Sequence, residues 1–253
     1  MRKLLPITLL LAATIAAPAH AASLVVSGPT SAGTFSLTGQ PLSAFGADGG
    51  EVAAAHGIIA VAGAKRIAVR DARTLAVEKV IARGGHVAAG DLDGDRRPDV
   101  IAAENGTVTV YQDGRTTTRA FQPFGGADGP IAATDVDRDG HTDIVAASGS
   151  FVKVFSGADG TLLRYFNVGT TVRALAAGEG LIATGGAGSS VALFDATGKV
   201  AFFPPGPTKA LAIGDGMIIH VSPSGLVRAY DKDTFALKLS FAPFTDVTGV
   251  AML

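Results

Sequence analysis

Apolar and polar positions recur along this chain in a unit of about 35 to 44 residues. A short apolar run opens each unit: VAAA at 52–55, VAAG at 87–90, IAAT at 131–134, VRALAAG at 172–178 and KALAIG at 209–214, with VTGVAML at 247–253. A turn then leads to a second apolar run: GIIAVAG, DVIAAENG, DIVAASG, GLIATGG and GMIIHVS. The third segment alternates with period two (KRIAVRD, GTVTVYQ, SFVKVFS, SVALFDA, GLVRAYD), and a fourth often carries Phe. Continuous apolar runs suit strands buried on both faces, and alternation suits strands with one face toward water. Gly, Asp, Asn and Pro fill the joints, so each unit predicts four strands separated by turns. The segment LAVEKVIAR at 75–83 could be drawn as a helix, but its place in the repeat predicts a strand. A period of this length is that of four-stranded propeller blades.

The two ends complete one another. Residues 24–47 supply segments two, three and four of a unit that lacks its first strand, and VTGVAML supplies a first strand and stops. Pairing them closes a ring and removes an open sheet edge. The reading is therefore an all-β propeller over residues 23–253 with six four-stranded blades, seven being the alternative count. A linear solenoid would need polar capping repeats, and the terminal segments are apolar.

Three units join their first two strands by two residues, His56-Gly57, Glu179-Gly180 and Asp215-Gly216, which suit tight hairpins. Two units place a nine-residue run there instead: Asp91–Asp99 (DLDGDRRPD) and Asp135–Asp143 (DVDRDGHTD). Both carry Asp at positions 1, 3, 5 and 9 and begin 44 residues apart, and together they hold eight of the 22 acidic residues. Carboxylates crowded this closely disfavour one another's ionisation. A hard cation relieves that, and oxygen ligands alternating around a turn are what Ca²⁺ takes. An EF-hand is excluded, because position 12 is Ala102 or Ala146 in an apolar strand rather than a bidentate Glu.

These runs, at this place in a blade, resemble the FG-GAP repeats of integrin α-subunit propellers and of secreted bacterial VCBS-type proteins. The segments Phe45-Gly46-Ala47-Asp48-Gly49 and Phe124-Gly125-Gly126-Ala127-Asp128-Gly129 are similar to the name-giving part of that motif, without its Gly-Ala-Pro. The resemblance covers residues 86–168 best. It implies one Ca²⁺ held by Asp91, Asp93, Asp95 and Asp99 with the Arg97 carbonyl, and a second held by Asp135, Asp137, Asp139 and Asp143 with the His141 carbonyl. Both ions would be structural. The family favours Gly at position 6, which Gly140 supplies but Arg96 does not. A non-Gly residue at positive φ is disfavoured by roughly 1 kcal/mol, so the Asp91 site is expected to be the weaker.

Composition narrows the setting. Arg2 and Lys3, an apolar run and Ala19-His20-Ala21-Ala22 describe a secretory signal peptide over 1–22, predicting export to the periplasm or beyond. That run is too short and too interrupted for a membrane span, which needs about 20 apolar residues. The chain has no Cys, hence no disulfides to supplement the core. Its basic residues are too scattered for nucleic acid, which calls for a clustered patch. Outside the leader the histidines form no metal-binding pair, Gly178-Glu179-Gly180 leads into no helix, and no G-x-S-x-G elbow occurs. The expectation is a non-enzymatic, monomeric interaction or scaffold module whose partner is another protein or a cell-surface glycan. The alternative is a glycan-binding or hydrolytic propeller with a site assembled from loops between blades.

Overall fold

The computed structural model describes residues 23–253 apart from 48, 114, 115, 189, 196 and 245. The expected leader and Asp48 of the first Phe-Gly segment lie outside the described residues. These residues form six four-stranded antiparallel sheets. Their innermost strands are Val52–Ala55, His86–Gly90, Ile131–Thr134, Ala174–Gly178, Ala210–Gly214 and Gly249–Met252. Each of these touches the next, and the last touches the first, so the sheets ring an axis as propeller blades. Alanine recurs in all six because six strands converge there and leave little room for side chains. The channel they enclose measures about 140 Å³.

Ring closure follows the sequence reading. Gly249–Met252 pairs antiparallel with Ser23–Ser27, in the register Leu24↔Met252 to Ser27↔Gly249. The Ser27 and Thr248 hydroxyls both donate to the Gly50 carbonyl, tying this first blade to the second (52–81). The third blade spans 86–121, the fourth 131–167, the fifth 174–203 and the sixth 210–241. The segment expected as a strand within 75–83 is Val77–Ile81. Burial is most complete in the second strands, such as Ile58–Ala62 and Asp143–Ser148, rather than in the innermost ones, whose inner faces meet the channel. All three two-residue hairpins have both residues at positive φ, as the strand twist demands. Every blade also carries a bulge between its third and fourth strands, for example at Val69/Arg70 and Val154/Phe155. A bulge raises the local twist.

Side chains lock neighbouring blades by seeking main-chain carbonyls. Outer-strand cations reach forward: Lys79 to the carbonyl of Asp113, Arg119 to those of Ser156, Gly157 and Ala158, Arg164 to that of Asp195. Third-strand cations reach back: Arg70 to Gly46, Lys153 to Pro123, Arg228 to Pro205. The chain passes between blades close beneath a carbonyl, where only Gly fits. A Cβ at Gly50, Gly85 or Gly129 would lie 1.8, 2.2 or 1.7 Å from the carbonyl oxygen of Ala62, Ala103 or Ala147.

Candidate metal centre

Each aspartate run occupies the hairpin between the innermost and second strands of its blade, in the third and fourth blades. Position 9 is already a strand residue, since Asp99 pairs with Gly90 and Asp143 with Thr134. This burial holds the last carboxylate beneath the loop while positions 3 to 5 project into water. Asp99 and Asp143 are 3% and 0% exposed, whereas Asp93 and Asp137 are exposed.

The two runs fold alike down to single hydrogen bonds. Position 1 accepts from the amides of positions 4 and 6: Asp91 from Gly94 and Arg96, Asp135 from Arg138 and Gly140. Asp93 accepts from the Asp95 amide, and Asp137 from that of Asp139. Position 5 accepts from position 7, Asp95 from Arg97 at 2.7 Å and Asp139 from His141 at 2.8 Å. Position 9 takes the amide of position 2 and one from the end of the third strand. Asp99 accepts from Leu92 and Asp113, Asp143 from Val136 and Gly157. A carboxylate oxygen has two lone pairs, so these bonds aim the group and leave acceptor capacity.

Carboxylate oxygens of Asp91, Asp93 and Asp99 lie within 4.8 Å of one another, and so do those of Asp135, Asp137 and Asp143. Three of the four expected carboxylates thus converge in each run. Asp95 and Asp139 stand outside these trios, bonded to the amides of the residues whose carbonyls the resemblance assigns to the ion. Burial pushes Asp99 above the ordinary carboxylate range against the pull of its two amide donors, with the charges of Asp93 and Asp91 adding to the rise. Asp143 is raised in the same way by burial and by the charges of Asp137 and Asp139. Hard oxygen donors converging around a buried carboxylate fit a cation such as Ca²⁺.

Backbone strain does not rank the two runs as expected. Arg96 does take positive φ, at 68°, but so does Arg138 at position 4 of the second run, at 66°. Gly94 and Gly140 fill the remaining positive-φ places, so each run holds one Gly and one Arg there, in exchanged positions. The inequality lies in local partners instead. In the first run Arg97 stands 3.9 Å from Asp95 and 3.6 Å from Asp113, and the Gln112 amide donates to Asp93. The corresponding residues in the fourth blade are Ser156 and Gly157, just past its third strand. Sequence reasoning passed over Gln112, Asp113 and Gly157, although Asp113 and Gly157 each lie 14 residues beyond position 9.

A ring of six four-stranded blades defines a β-propeller, two of whose hairpins carry matched aspartate runs. Residues 91–146 match the model of the FG-GAP-like repeat, a span that begins at the first run and contains the second. No curated protein matches the sequence at a significant level. Among solved structures, a chain in the crystal structure of a nidogen/laminin complex is similar with a TM-score of 0.70 and 14% identity, over 91% of this chain and 98% of that one. The Neurospora crassa Pan2 WD40 domain is similar with a TM-score of 0.60 and 13% identity, over 90% of this chain and 78% of that one. At such identities the likeness is one of fold.

Proposed function

We propose that this protein is an exported β-propeller that binds two structural Ca²⁺ ions and acts as a non-enzymatic protein-interaction module. The observation that carries the cation reading is the repeated geometry of the two runs, down to matching hydrogen bonds, together with the FG-GAP-like match over them. Asp91, Asp93 and Asp99 would hold one ion and Asp135, Asp137 and Asp143 the other, with Asp95, Asp139 and the carbonyls of Arg97 and His141 completing the shells. Export is supported by the character of residues 1–22.

The interaction reading is supported by where polar and apolar groups fall. Ligand pockets commonly measure about 300–1,000 Å³, whereas the axial channel is smaller, and its lining is largely aliphatic apart from Glu51, Arg173, Lys209 and Thr248. The two acids with raised pKa values described above sit in the hairpins, away from that channel. Phe151, Leu162, Leu163 and Tyr165 are exposed on the two outer strands of the fourth blade, and Phe151 stacks on Tyr165 with centroids 6.0 Å apart. Calorimetric titration of CaCl2 into chelator-stripped protein tests the metal reading, with two ions per chain expected and none overturning it. A pull-down from the extracytoplasmic fraction of the source organism tests the interaction reading. A partner retained by the wild type and lost with Tyr165→Lys is expected, and no partner in either bait counts against it.

A further inference from the structure

The Asp91 run is braced by the run in the next blade. The Thr142 amide, at position 8 of the second run, donates to the Asp91 carbonyl at 2.9 Å. The His141 ring lies against Gly94, where a Cβ would come within 2.9 Å of its Cε1. Thr142 itself is wedged between glycines of two blades. A Cβ on Gly90 would lie 2.4 Å from Thr142 Cγ2, and one on Gly157 would lie 1.8 Å from the Thr142 carbonyl oxygen. A side chain at either glycine would collide with Thr142, although the place of Gly90 is glycine in two further blades as well, at Gly178 and Gly214. The arrangement has one direction. Position 8 of the first run is Pro98, which has no N–H to donate to the second blade, and that blade has only the two-residue His56-Gly57 turn.

We infer that Thr142 and His141 are positioning residues for the Asp91 site, so that order in the Asp135 run raises cation affinity in the Asp91 run. This rests on the reading of both runs as cation sites. Thr142 lies between His141, whose amide is fixed by Asp139, and Asp143, which is fixed by Val136 and Gly157. Filling the second site therefore immobilises the donor that holds the main chain of Asp91, the first ligand of its neighbour. An ion at one site also repels an ion at the other, but at 0.15 M ionic strength the screening length is about 8 Å. That damps the repulsion between solvated loops, while the hydrogen bond acts at contact.

The test is CaCl2 titration of chelator-stripped protein in 0.15 M NaCl, read by the NMR amide signals of Gly94 for the first site and Gly140 for the second. Asp137→Asn, which disables the second site, is expected to weaken binding reported by Gly94 about tenfold, within the usual range of coupling between sites. Thr142→Pro removes the donor at a position where the first run already carries proline. It is expected to weaken Gly94-reported binding about fivefold while moving Gly140-reported binding less than twofold. Thr142→Ser keeps the amide and should behave as wild type. Gly94-reported affinity that is unchanged or tighter in Asp137→Asn overturns the coupling while leaving the cation sites standing. Absence of Ca²⁺ uptake in the wild type overturns both.

Discussion

His86 Nδ1 lies 2.6 Å from Glu51 Oε1, joining the innermost strands of the second and third blades at one mouth of the channel. Glu51 also accepts from the Val87 amide. Burial works against the charged imidazole, but the hydrogen bond and charge of Glu51, with a contribution from Asp128, outweigh it and hold the His86 pKa above its ordinary value of 6.5. The folded pKa thus exceeds the unfolded one. The pair's contribution is complete below about pH 6.5 and is lost as pH rises through the folded value. Thermal melts across pH 5.5–8.5 should show a loss of stability above about pH 6.5 in the wild type, and Glu51→Gln should flatten that segment.

Chelation should soften the protein without unfolding it. Extracellular Ca²⁺ modules bind with dissociation constants of about 10⁻⁴ to 10⁻³ M, so at about 1–2 mM ion each site contributes ~0.4–1.8 kcal/mol by mass action. For a chain of this size two sites amount to a fall in Tm of about 2 to 14 °C. Melting with and without EDTA measures it, and complete unfolding on chelation contradicts the prediction.

Asp143 and Asp137 should separate support from binding. Asp143 is fully buried and accepts from the amides of Val136 and Gly157, so Asp143→Ala leaves buried donors without a partner, at about 1–3 kcal/mol each. That loss should appear in urea melts even with EDTA present. Asp137→Ala removes an exposed group and should cost little stability in EDTA while lowering Ca²⁺ uptake.

Arg119 serves three carbonyls of the next blade, those of Ser156, Gly157 and Ala158. Arg119→Met keeps the aliphatic stem and removes the donors. The expected loss is about 1.5–3 kcal/mol, the scale of hydrogen bonds to a charged group, read as a lower urea midpoint.

Which parts of this were legible in the chain follows from how each is encoded. Strand order, ring closure and both aspartate hairpins are local patterns repeated at a period, so alignment of the chain with itself finds them. Gly94 against Arg138 is different. Gly94 answers to the His141 ring from the next blade, while the place of Arg138 is solvent-exposed, and spacing within one run cannot show that. The same holds for Arg119, whose carbonyl partners lie 37–39 residues ahead. One local signal was present and unused. DARTLA at 71–76 and DKDTFA at 231–236 are copies of one turn, in which Asp71 and Asp231 each accept from the amide and hydroxyl of a Thr three residues on. Those bonds hold both carboxylates low, Asp231 at about 2.

The strand Ser23–Ser27 finds its inner neighbour only in Gly249–Met252, more than 220 residues later. During synthesis, the opening segment must wait with an unsatisfied edge until the closing segment arrives. Five blades can assemble in order from local hairpins, but the ring shuts in a final step that brings together the most distant parts of the sequence. Such non-local closure is slow relative to hairpin formation. A chain stalled before residue 249 would hold five complete blades and a three-stranded one, and the unpaired edge of Ser23–Ser27 would be a template for pairing with another chain.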